Sequence, residues 1–103
     1  MALQKAVALS DLKAGEIAGV EIGEQKIALY LLDGQPFATS DICTHAECPL
    51  SEEGEVVGDD VHCLCHGSKF NIRTGEVVDP PATDPLATYA VTVQGQDVLV
   101  DVP

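Results

Sequence analysis

The sequence predicts an all-β domain, a small antiparallel barrel or sandwich, on three observations. Apolar residues come in strand-length runs, among them Ile27-Ala28-Leu29-Tyr30-Leu31-Leu32 and Val98-Leu99-Val100. Turn signals, most of them centred on glycine, separate these runs. No helical periodicity persists for three turns anywhere. At 103 residues the chain has material for one modest core, hence one domain.

Taken in order, Lys5-Ala6-Val7-Ala8-Leu9 reads as a first strand, and Ser10 to Glu16 as a capped turn closed by Gly15. Ile17 to Ile22 and Gln25 to Leu32 form a hairpin around Gly23-Glu24, and Asp33-Gly34 is a two-residue turn signal leading into Pro36-Phe37-Ala38. Further on, Lys69-Phe70-Asn71-Ile72 and Glu76-Val77-Val78 flank a turn at Arg73-Thr74-Gly75. The proline stretch from Asp79 to Pro85 carries the chain onward without regular pairing. Ala87 to Val93 and Asp97 to Val102, joined at Gln94-Gly95-Gln96, make a closing hairpin whose alternation suits a half-buried sheet. The layout expected is a base of strands from residues about 1–40 and 86–103, the first and last strands sharing a sheet, with residues about 41–85 inserted as a lobe.

The formal charge is -12, from 17 acidic against 5 basic residues. Such a balance argues against nucleic acid and anionic membrane surfaces and favours docking onto basic protein patches. The apolar runs are far short of a membrane span, and the N-terminus lacks the basic flank and apolar run of a signal peptide, so the chain reads as soluble and cytoplasmic. All four cysteines lie between positions 43 and 65, where disulfides would staple only a local loop. In a cytosolic-looking chain such a group points to metal binding or catalysis rather than to a disulfide framework.

Two short segments carry the chemistry: Cys43-Thr44-His45, then 17 residues (46–62) rich in Gly, Glu and Asp, then Cys63-Leu64-Cys65-His66-Gly67-Ser68. Each offers a thiol and an imidazole. Thiolate with imidazole suits zinc, copper or an iron-sulfur cluster, whereas magnesium and calcium want oxygen. A Cys2His2 set is also a closed zinc site, although zinc arms more commonly run Cys-X2-4-Cys or His-X3-5-His. A Cys/His nucleophile pair stays open only if a thiol is left unligated. His62 neighbours Cys63, and in an extended segment its side chain takes the opposite face, which makes it a solvent or loop histidine. There is no open metal position and no acid/base pair, so the chain itself is not expected to be an enzyme.

Cys-X-His, 17 residues, Cys-X-X-His and then Gly resembles the Rieske pattern over nearly the whole chain, including Gly-Ser-Lys-Phe at 67–70 and the prolines at Pro80-Pro81. The resemblance implies one [2Fe-2S] cluster per chain, with Cys43 and Cys63 on one iron and His45 and His66 on the other. It implies a Rieske-type β-sandwich or barrel with a cluster-binding lobe at about 41–85, and a second shell that includes Ser68 and Pro80. Two imidazoles in place of two thiolates place the potential at about -150 to +300 mV, above an all-thiolate cluster.

Cys48 and Cys65 are surplus to that ligand set and match a cysteine pair that ties the two ligand loops by a disulfide in bc-type Rieske proteins. Two buried thiols are the alternative. Phe70 stands where the bc type usually has tyrosine, which removes one hydroxyl donor to the cluster region. The function implied is a soluble, monomeric one-electron carrier between a flavin-containing NAD(P)H reductase and a terminal Rieske non-haem iron oxygenase, as in aromatic-ring dioxygenase systems. The alternatives are a Rieske-like small subunit of a larger reductase such as nitrite reductase, or an accessory ferredoxin with bc-like cluster loops.

Overall fold

A computed structural model describes residues 2–42, 48–65, 67–79 and 84–102. Three antiparallel sheets make up the fold of these residues. The first contains β1 (Ala2–Ala8), β10 (Val91–Gln94) and β11 (Asp97–Val102), in the order β1-β11-β10. The second is ordered β2 (Ile17–Ile22), β3 (Gln25–Leu32), β4 (Gln35–Ser40), β9 (Thr88–Tyr89). In the third, β5 (Gly54–Val57), β6 (Asp60–Cys63), β7 (Lys69–Asn71) and β8 (Val77–Asp79) follow one another as a meander, preceded by one helical turn, α1 (Leu50–Glu53).

The middle sheet exists because β3 is apolar on both sides. Ile27, Ala28, Leu29 and Tyr30 are all fully buried, and period-two alternation sends successive side chains to opposite faces. Ala28, Tyr30 and Leu32 pack with Leu50, Val61, Cys63, Phe70, Ile72 and Leu86, which belong to the third sheet and its flanks. Ile27 and Leu29 pack with Leu12, Ala38, Val98 and Val100 toward the first sheet. An unbroken apolar run therefore marks a strand sandwiched between two cores, each buried side chain stabilising the fold by roughly 1.5–3 kcal/mol.

Turn chemistry sets the register. Asp33 (φ 51) and Gly34 (φ 78) both sit in the left-handed region, as a two-residue type I′ turn requires, and Leu32 pairs with Gln35 across it. Tyr30 carries a hydroxyl into the core and satisfies it on Thr39 Oγ1 at 2.8 Å, while Thr39 Oγ1 donates onward to the Ser40 carbonyl at 2.9 Å. Burial pushes the Tyr30 phenol well above its ordinary pKa, against the lowering effect of the Thr39 bond.

β2, β3 and the closing strand β11 fall where the sequence places them, and β1 pairs with β11, so the first and last strands do share a sheet. Two expectations need correction, and the sequence alone assigns no element to residues 46–62. The first strand starts at Ala2 and ends at Ala8, because Leu9–Asp11 coils into a 3-10 turn. The strand expected from Ala87 to Val93 is two strands: Thr88–Tyr89 pairs with β4, and Val91–Gln94 pairs with β11. Alternation runs on through the break at Ala90 because only the pairing partner changes, as where a strand passes from one sheet to the next. Finally, the spacer between the two Cys/His segments is no plain loop but holds α1 and the β5–β6 hairpin around Gly58-Asp59.

Candidate metal centre

The two Cys/His segments sit at the ends of elements that hold them from below. The first begins after β4: Ile42 and Pro49 form an isolated antiparallel bridge that closes the loop between them. Asp41 underpins that bridge. Its N–H donates to the Lys26 carbonyl at 2.9 Å, its carbonyl accepts from Leu50 N–H at 2.6 Å, and its carboxylate accepts from Ser51 N–H at 2.7 Å and Ser51 Oγ at 2.8 Å.

The second segment is the connection from β6 to β7. Cys63 N–H donates to the Ser68 carbonyl at 2.7 Å, and Gly67 N–H donates back to the Cys63 carbonyl at 2.8 Å. Gly67 takes φ 81, the left-handed conformation in which a side chain is strained. Leu64 N–H donates to the Glu53 carbonyl at 2.8 Å, which fastens this turn to α1 and so to the first loop.

Cys63 and Ser68 are fully buried, Cys48 is half-buried and Cys65 is exposed. Cys48 and Cys65 are joined as a disulfide across a sequence separation of 17. The sulfurs of Cys48, Cys63 and Cys65 all lie within 4.8 Å of one another. Cys48 lies three residues past His45, within the loop that the Ile42–Pro49 bridge closes, and Cys63 opens the second segment, so this sulfur group brings the two loops together at one place. Phe70 is buried in the core behind the turn, beside Val61 and Ile72. His62 is half-buried on β6, opposite Glu55 and Lys69, and the alternation that buries Cys63 turns it away from that face.

Of the residues singled out from sequence, Cys43, His45, His66 and Pro80 lie outside the described residues, while Cys48, Cys63, Cys65 and Ser68 lie within them. Sequence reasoning missed Asp41 and Ser51. A signal for them was present, an acid two residues before the first cysteine and a serine in the first helical turn after the loop, but neither residue type is a soft-metal ligand. A cavity of about 580 Å3 lies beside this base, lined by Lys26, Asp41, Pro49 and Glu52 among others.

Residues 2–90 match the family model of the Rieske [2Fe-2S] domain. The chain therefore belongs to the Rieske [2Fe-2S] family, and its cofactor is a [2Fe-2S] cluster. The described part of the site fits such a group: a buried thiol at the mouth of a glycine turn, in sulfur contact with the end of the other loop. The chain is 45% identical over 101 residues to the biphenyl dioxygenase ferredoxin subunit of Pseudomonas sp. strain KKS102, covering 98% of this chain and 93% of that one. Among solved structures, it superposes on a Sphingomonas yanoikuyae B1 ferredoxin with a TM-score of 0.93 and 31% identity, over 99% of this chain and 100% of that one. It also matches, at TM-score 0.88 and 38% identity over 95% of this chain and 100% of that one, a chain in a complex of reduced oxygenase and oxidised ferredoxin of carbazole 1,9a-dioxygenase.

Proposed function

We propose that this chain is the ferredoxin component of an aromatic-ring dioxygenase system, carrying single electrons from a flavin-containing NAD(P)H reductase to a terminal Rieske oxygenase. The observation that carries this reading is the likeness to dioxygenase ferredoxins over nearly their whole length, at 45% identity for the biphenyl subunit. When bound, the cluster supplies a one-electron couple at a potential raised by its two imidazole ligands, within about -150 to +300 mV. Cys43 and Cys63 hold one iron and His45 and His66 the other, with residues 41–85 as the cluster-binding lobe on a base of residues 1–40 and 86–103.

The remaining residues bind and shield rather than react. The buried Cys63 keeps its thiolate from water, and the backbone turn through Gly67 ties Cys63 to Ser68. Ser68 and Pro80 stand in the second shell, where hydrogen bonding and solvent exclusion tune the potential. The Cys48–Cys65 clasp holds the two loops at a set distance. The carrier works in the cytoplasm as a monomer, and its -12 charge steers it onto basic patches of its partners.

Reconstitution tests this reading. The holo-protein, added to a biphenyl-type reductase and oxygenase, is expected to support NADH-dependent dihydroxylation that stops when it is omitted. The rate at sub-saturating ferredoxin is expected to fall as ionic strength rises. A chain that holds a cluster yet accepts no electrons from any such reductase, and passes none to the oxygenase, would sink the proposal.

A further inference from the structure

Asp41 is 7% exposed, and both oxygens of its carboxylate accept hydrogen bonds from one residue, Ser51. Through its backbone Asp41 also reaches Lys26 on β3 and Leu50 at the far side of the first loop, and the bridge from Ile42 to Pro49 follows directly. The residue thus pins the two ends of the loop that carries Cys43 and His45. A third element makes room for it. A Cβ at Gly19 on β2 would lie 2.5 Å from Ser51 Oγ and 2.7 Å from Ser51 Cβ, so only a bare glycine admits the pair. Among the described residues, no lysine or arginine forms an ion pair with Asp41. Among the described residues its carboxylate is met by two hydrogen-bond donors, Ser51 N–H and Ser51 Oγ.

We propose that Asp41 is a positioning residue for the first ligand loop, with two separable effects. Its bonds to Ser51, admitted by Gly19, hold the loop ends at the spacing the cluster needs. Its carboxylate, two residues along the chain from Cys43 on a residue 7% exposed, opposes the arrival of an electron and keeps the potential lower than the ligand set alone would give. This rests on the reading that Cys43 and His45 are cluster ligands. It does not depend on which oxygenase receives the electron.

Three variants of the holo-protein separate the effects. Asp41→Asn keeps shape: its Oδ1 accepts from Ser51 N–H, and its Nδ2 donates to Ser51 Oγ, so the charge goes and the hydroxyl bond reverses its direction. Its potential is expected to rise while cluster retention stays close to wild type. Ser51→Ala keeps the charge and loses the hydroxyl bond, so the cluster should be lost several-fold faster under chelator while the potential stays put or falls. Gly19→Ala, on another strand, should mimic Ser51→Ala because the new methyl displaces the hydroxyl.

Thermal unfolding of the apo-forms reports general damage to the fold, and potentiometry reads the charge, which a merely structural role would not move. An unchanged potential in Asp41→Asn overturns the electrostatic half. Cluster loss at the wild-type rate in both Ser51→Ala and Gly19→Ala overturns the clamp. Should Asp41→Asn fail to fold, those two variants still decide the clamp, and Asp41→Glu, which keeps the charge, decides the other half by holding the wild-type potential or failing to. A wild-type chain that takes up no cluster overturns the ligand reading itself.

Discussion

The two ligand loops are held in different ways. The first adds side chains to its main-chain bridge: a buried carboxylate, a serine and the gap left by a glycine on a neighbouring strand. The second is built from main chain: one backbone bond closes Cys63 on Ser68 and another on Gly67, a third runs from Leu64 to Glu53, and β6 and β7 pair on either side. A loop set by main-chain bonds tolerates side-chain changes and is sensitive to glycine, whereas a loop braced by a carboxylate and its serine is sensitive to loss of the hydrogen-bonding side chains. The Cys48–Cys65 disulfide joins the two and makes the position of one depend on the other.

The largest effect expected from breaking this arrangement is on the second loop's buried thiol. Cys63→Ser should abolish the bound cluster, measured as iron and sulfide per chain, because the hydroxyl is a far poorer soft-metal donor. Next comes the clasp. With 17 residues of sequence separation, removing it by Cys48→Ser with Cys65→Ser should lower apo-protein stability by about 3 kcal/mol on the loop-closure estimate. Denaturant unfolding under non-reducing conditions measures it, and an unchanged midpoint would show that the loops hold each other without it.

A smaller effect tests the main-chain character of the second loop. Gly67→Ala meets no neighbouring atom, so any loss comes from the φ of 81 alone and should be about 1–2 kcal/mol. The smallest lies below both loops. Tyr30→Phe removes one buried hydrogen bond while Thr39 keeps its bond to Ser40, for about 1 kcal/mol at neutral pH. The phenol's folded pKa is raised, so its contribution is complete below the unfolded value of about 10 and is lost as pH climbs through the raised value. Stability should therefore decline above about pH 10, and less steeply in Tyr30→Phe.

Much of this was legible in the sequence because local chemistry and pairing agreed. The runs at 17–22 and 25–32 with Gly23 between them, and Asp33-Gly34 after them, leave little choice of partner. What stayed hidden depends on distant neighbours. Nothing in Thr88 to Val93 says that the strand changes sheets at Ala90. The acidic spacer concealed a hairpin whose Gly58-Asp59 signal was present but whose strands, Gly54–Val57 and Asp60–Cys63, are four residues each, too short for alternation to stand out. At the site, soft donors at fixed spacing announce a cluster, whereas Asp41 and Ser51 gain their meaning only when β2, the end of β4 and α1 meet.

The most direct measurement is electron paramagnetic resonance of the dithionite-reduced holo-protein, with nitrogen hyperfine detection and iron and sulfide analysis on the same sample. The account predicts two irons and two sulfides per chain and a rhombic signal coupled to two imidazole nitrogens, lost in Cys63→Ser. A colourless protein carrying zinc, or a reduced cluster with no nitrogen coupling, would contradict the assignment of Cys43, His45, Cys63 and His66.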